Sequence, residues 1–117
     1  LTMGYVNQIW QGDANAYLCC LFPLCAHPPV IVNMTGLAVL STRTLAEELG
    51  VLLGQEPNFV NCEAEDALLG DTRRLVSALG PPEVGVEQML EWTAEWVKAG
   101  GKSLGKPTKY ESRSGRF

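Results

Sequence analysis

Few side chains in this sequence stand at spacings that do chemistry, and most of those admit a plainer use. Cys25 and His27 lie two residues apart, the makings of a thiolate–imidazole pair, but prolines flank them and nothing nearby would orient the ring. His27 is the sole histidine and no C-x-x-C occurs, so no zinc site can be assembled. Glu63, Glu65 and Asp66 form an acidic knot that suits a carboxylate site and equally a solvated loop. Trp92 and Trp96, one helical turn apart, can stack a flat ligand or pack a core. The polar residues that stand out are Trp10, Gln11 and Asp13 at one expected strand-to-helix turn, and Asn33 and Thr35 at the next. Ligands of α/β sheets gather outside the carboxyl ends of strands. Trp10, Gln11 and Asn33 are therefore the substrate-binding candidates, and Asp13 has the simpler use of a helix cap. No catalytic residue, cofactor-binding residue or metal ligand is assigned.

The elements that must position these turns centre on Val30–Gly54. Val30, Ile31 and Val32 read as a buried strand, and Asn33, Thr35 and Gly36 as a turn. From Ser41 the period becomes helical, with Leu45, Leu49, Leu52 and Leu53 on one face, Ser41 as cap and Gly54 as stop. Gly4–Trp10 alternates as a strand. Asp13 is then placed to cap a helix over residues 14–26, apolar nearly all round and so expected to be buried, with Pro23 kinking or ending it. Pro57–Cys62 reads as a short strand. Asp71 or Thr72 caps a helix through Leu79 that turns Leu75, Val76 and Leu79 inward. The last helix, Val86 to about Ala99, gathers Val86, Met89, Leu90, Thr93 and Val97 on one face. The expected fold is thus mixed α/β: strands near 5–10, 30–34 and 57–61, four helices over residues 1–99, and a tail over 100–117 in which Tyr110 and Phe117 are potential tethers.

At 117 residues the chain fits one domain, and its 46% hydrophobic content allows a core. A net charge of −4 with no basic stripe argues against nucleic acid as partner. The longest apolar run, Ala16–Ala26, holds Pro23 and falls well short of the roughly 20 residues that cross a membrane. Without a signal-peptide pattern or a disulfide framework, the expected compartment is the cytoplasm. The first residue is Leu, and the chain is expected to be a piece of something longer.

Read in order, the pieces resemble the C-terminal third of an extended short-chain dehydrogenase/reductase, the NAD-dependent epimerase/dehydratase family. Ile9–Ala16, with Asp13, Ala14 and Ala16, stands where that family shows a strand running into V-x-D-x-A-x-A. Val32-Asn33-Met34-Thr35-Gly36 is similar to its strand ending Y-N-x-G, and Ser41–Ala46 to its S-x-x-x-L-A helix start. Asp71-Thr72-Arg73-Arg74 and Leu79-Gly80-Pro81 look like its D-[ST]-x-[RK] and L-G-P segments. Trp92-x-x-x-Trp96, Gly100-Gly101 and Leu104–Thr108 resemble a bacterial subgroup of NAD(P)-dependent oxidoreductases.

The resemblance implies a substrate-binding portion of a Rossmann-type protein, with a small-molecule substrate and NAD or NADP bound by the full-length parent. In the family, the Gly-rich cofactor loop and the Tyr-x-x-x-Lys pair lie upstream, and none of these is present here; Tyr5, Tyr17 and Tyr110 each lack a Lys four residues on. The chain alone is therefore expected to bind no cofactor and to be catalytically inert. The family's sugar-nucleotide epimerases carry a phosphate-clamping Arg before the D-[ST] motif, where this sequence has Cys62–Asp66 with three acids. The alternative is a complete small α/β protein-interaction module, with a homodimer built on the Val86–Val97 helix.

Overall fold

Ser41 ends a strand and starts a helix at once, and this junction organises the molecule. The computed structural model describes residues 1–65 and 67–106. In it β1 (Tyr5–Val6) pairs antiparallel with β2 (Leu40–Ser41), Tyr5 opposite Ser41 and Val6 opposite Leu40. The Thr42 N–H donates to the Gly4 carbonyl at 2.9 Å, which carries the pairing into α2 (Thr42–Leu53). The Ser41 hydroxyl accepts from the Thr44 N–H at 3.3 Å, the expected cap. At the far end Gly54 takes the left-handed conformation (φ 66°), and the Gln55 N–H closes onto the Gly50 carbonyl at 2.9 Å.

Three further helices complete a small mixed α/β fold: α1 (Gln11–Leu21), α3 (Arg73–Leu79) and α4 (Val86–Lys98). A single 3₁₀ turn, Phe22–Leu24, follows α1, so Pro23 ends that helix rather than kinking it. Helix α4 packs against α2, with Leu90 and Ala94 buried. Leu75 of α3 is fully enclosed, as its place on the inward face requires. The core is otherwise small: Met3, Val6 and Tyr17 are the other buried apolar side chains among the described residues.

The sheet departs from expectation. Residues 30–34 form no strand: Ile31 is 79% exposed, and the segment is held by side chains instead. Thr35 Oγ1 donates to the Asn7 carbonyl at 2.6 Å, Asn33 Nδ2 to the Asp71 carbonyl at 3.1 Å, and the Arg74 guanidinium to the Ile31 carbonyl at 2.8 Å. A β-branched run becomes a buried strand only when neighbours supply backbone partners, and here they do not. Residues 57–61 also stay irregular, since Asn61 turns into the left-handed region (φ 65°) and Arg43 covers Phe59, 4.2 Å from its centroid. Past Val6 the first strand gives out as well. Asn7 spends its amide side chain on Gly70, donating to its carbonyl at 2.8 Å and accepting from its N–H at 3.2 Å.

Burial of the helices differs too. Helix α1, apolar nearly all round, buries Tyr17 but leaves Leu18, Cys19 and Cys20 exposed, because nothing among the described residues covers that side. On α4 the buried stripe runs through Leu90 and Ala94, and Val97 is 52% exposed. The expected tethers Tyr110 and Phe117 lie outside the described residues, as does Asp66.

Candidate functional site

Trp10 is the residue at which the chain passes from β1 toward α1. It is extended (φ −62°, ψ 137°) and offers no side-chain cap. Its indole reaches instead toward Trp92 of α4, with ring centroids 4.9 Å apart and planes tilted by 59°. Trp10 is also among the residues lining a groove of about 390 Å³ between β1, α2 and α4. Leu45, Leu49, Met89 and Leu90 form its apolar floor, and Gln8, Thr42 and Thr93 bring polar atoms to it. No charged side chain lines it. The Thr93 hydroxyl is spent on the Met89 carbonyl at 2.7 Å. Such a groove has the size and the apolar-with-few-polar character of a small-molecule site, and its lack of charge suits an uncharged ligand.

The three candidates do not converge. Trp10 lines the groove; Gln11 begins α1 and Asn33 bonds to Asp71 just ahead of α3, and neither is among the groove's lining residues. Gln8 and Met89 line the groove without having been read as ligand contacts, and Trp92, read as able to stack a ligand or pack a core, meets Trp10 but is not among the lining residues. Trp10 and Trp92 lie 82 residues apart, and only the tertiary structure brings their rings together.

Asp13 is not the cap expected of it. It sits in the first turn of α1, and its Oδ2 accepts from the Val84 N–H at 2.9 Å, across the chain. One turn on, the Tyr17 hydroxyl donates to the Gly80 carbonyl at 2.8 Å. Asp13, Tyr17, Cys20, Leu79, Pro81 and Glu83 are among the residues around a second cleft of about 250 Å³. Burial raises the Tyr17 pKa, and the charges of Asp13 and Glu83 raise it further. The phenol is thus held protonated and bonded, which fits a structural clamp and not a general base.

Thr72 is the N-cap of α3 but makes no capping bond, and its buried Oγ1 finds no partner among the described residues. Asp71 satisfies the Arg73 N–H at 3.0 Å in its place. The Arg73 guanidinium beside it, together with that N–H, holds the Asp71 carboxyl at a pKa of about 2. The acidic knot is partly neutralised: Glu63 pairs with Arg43 at 2.6 Å, and its pKa is lowered by its own backbone N–H and then by that arginine.

Cys25 and His27 are both exposed, and the Cys25 thiol points back to the Leu21 carbonyl at 3.8 Å. No group of three or more metal-ligating side chains occurs among the described residues. None of the described helices is long and apolar enough to cross a membrane. No protein-family model, curated protein or solved structure matches the chain.

Proposed function

We propose that this chain is the substrate-side portion of a cytoplasmic NAD(P)-dependent epimerase, dehydratase or reductase, inert until joined to a cofactor-binding Rossmann part. The observation that carries this reading is the number of exposed apolar side chains between residues 18 and 39. Leu18, Phe22, Leu24, Val30, Ile31, Leu37 and Val39 are all exposed, Phe22 by 75%. Single exposed apolar residues are ordinary, and seven within 22 residues of chain are what a covering partner would account for. The β-branched run at 30–32 has the composition of an interior strand, and a parallel sheet beside it would supply the backbone partners it lacks.

In this reading Trp10 and the groove behind it receive the uncharged part of a small substrate, and Gln11 and Asn33 lie nearer the seam with the cofactor part. A pyrophosphate is disfavoured, since Arg43 and Arg73, the arginines nearest the acidic knot and the D-[ST] motif, are already paired with Glu63 and Asp71.

The test reads the coding DNA upstream of the Leu1 codon in frame and titrates the 117-residue chain with NAD(H). A continuous frame carrying G-x-x-G-x-x-G and then Y-x-x-x-K, with no NAD(H) binding by the isolated chain, is the expected result. Micromolar NAD(H) binding by this chain would sink the proposal. A start codon directly ahead of Leu1, with a mass that rises with concentration, would favour a self-associating interaction module instead.

A further inference from the structure

The seam between α2 and α4 holds two apolar recesses that meet at a pair of carboxylates. The first, of about 390 Å³, is lined in part by Leu45 of α2 and Val86 of α4. The second, of about 300 Å³, has Val51, Leu52 and Leu90 in its wall. Glu48 and Glu87 line both recesses, and Glu91 joins the rim of the second. Helical spacing explains the order. Leu45, Glu48 and Leu52 fall on one stripe of α2, and Val86, Glu87, Leu90 and Glu91 on one stripe of α4.

Neither rim nor wall is satisfied within the described residues. The ion pairs there are Arg43 with Glu63 and Arg73 with Asp71, so no cation meets Glu48, Glu87 or Glu91. Glu91 accepts from Gln88 Nε2 at 3.0 Å, a neutral contact that leaves its charge uncompensated. Glu87 has a local use in the first turn of α4, where a negative charge meets the helix dipole. Glu48 and Glu91 lie inside their helices and gain nothing of that kind, and Glu87 and Glu91, four apart, repel each other. Val51 is 83% exposed, the largest exposure of any large apolar side chain on the two helices.

We propose that this groove docks a basic amphipathic helix of another protein, its apolar side chains in the two recesses and its lysines or arginines against Glu48, Glu87 and Glu91. Charge complementarity selects the occupant. A second copy of this chain, seated across a two-fold axis, would set three carboxylates against three. A neutral apolar segment would leave the rim unpaired. The spacing suits a helix: Leu45 and Leu52 stand about 10 Å apart along α2, the rise between anchors i and i+7 of a partner helix. Of the exposed apolar residues that carry the epimerase reading, only Val39 lines this groove, so the inference does not depend on that reading.

The test titrates the ¹⁵N-labelled full 117-residue protein with a synthetic helical peptide of about 15 lysines and leucines, the leucines at i, i+3, i+4 and i+7. Binding is expected at micromolar concentration, and the amide resonances that move most are those of residues 45–52 and 86–91. Replacing the leucines by glutamine, or the lysines by glutamate, should each weaken binding about ten-fold or more. Raising the salt to about 1 M, where the screening length is about 3 Å, should weaken it several-fold. Glu87→Gln/Glu91→Gln and Val51→Ser, each shown to be folded by circular dichroism, should also weaken it several-fold. Glu47→Gln/Glu56→Gln, at glutamates that line neither recess, should leave it unchanged. Shifts centred on residues 18–37, equal weakening by that control pair, or affinity indifferent to loss of the leucines would each overturn the proposal. So would absence of binding up to about 1 mM peptide. Groove resonances that move with protein concentration alone would assign the seam to a second copy and overturn it as well.

Discussion

Asp13 Oδ2 accepts the backbone N–H of Val84 at 2.9 Å, 71 residues along the chain, and with Tyr17 it clamps α1 to the turn between α3 and α4. Losing the carboxylate leaves a part-buried N–H unpaired. Asp13→Ala is therefore expected to cost about 1–3 kcal/mol in urea unfolding. Asp13→Asn, which keeps an acceptor, should cost less. A double-mutant cycle with Tyr17→Phe should show coupling of about 0.5 kcal/mol or more, since the two groups hold the same turn. Additivity within error would mean that Asp13 acts only at its own helix end.

Tyr17 predicts an alkaline limit. Its pKa is raised in the folded chain by burial, then by Asp13 and Glu83. The unfolded chain then releases the phenolic proton first as pH rises. The stabilisation is fully present below the ordinary tyrosine value of about 10 and is lost as pH climbs from there through the folded pKa. Urea midpoints measured from neutral pH upward should hold level and then fall, and Tyr17→Phe should flatten the fall. A midpoint insensitive to pH across that window would contradict the clamp.

Gly36 is required for a reason visible only in three dimensions. A Cβ there would overlap the carbonyl of Gln8, where the 30s segment crosses the first strand's continuation. Gly36→Ala should cost about 1–3 kcal/mol through forced backbone movement. At Gly54 the space is open and the strain is purely the left-handed φ of 66°. There Ala should cost about 1–2 kcal/mol. Thermal unfolding distinguishes the two: adding space around residue 36 with Gln8→Gly cannot rescue Gly36→Ala, because the obstacle is backbone.

Trp10 and Trp92 should act as a pair. Their tilted rings, 4.9 Å apart, predict a coupling of about 0.5–1.5 kcal/mol in a Trp10→Ala/Trp92→Ala cycle. A neutral naphthyl probe should quench the emission of this pair, and a negatively charged analogue should not, since the groove carries no charged side chain. Equal binding of both probes would argue that the groove is not the site reached.

The local punctuation of the chain was legible from sequence. Ser41 capping α2, Gly54 closing it, Pro23 ending α1 and Leu75 at the centre of α3 each follow from the residue itself and its near neighbours. Such features depend on backbone geometry within a turn or two. The strands were less legible. Residues 30–34 have strand composition but no strand, while Leu40–Ser41, which lacks a β-branched residue, pairs because Gly4–Val6 lies beside it. Of the three candidate residues, Trp10 lines the groove, while Gln11 and Asn33 lie elsewhere.

By itself, then, the sequence determined where α2 starts and stops, that Pro23 ends α1, that Leu75 faces inward, and that the acids precede the bases. Only the tertiary structure decided that Asp13 serves a turn 71 residues away and that Asn7 stands in for a strand at Gly70. It also decided that Trp10 meets Trp92 and that the glutamates of α2 and α4 share a rim. The physical reason is the range of the forces involved. Caps and turns are settled by bonds among residues a few positions apart, whereas a side chain's distant partner depends on how whole elements cross, which no local pattern records.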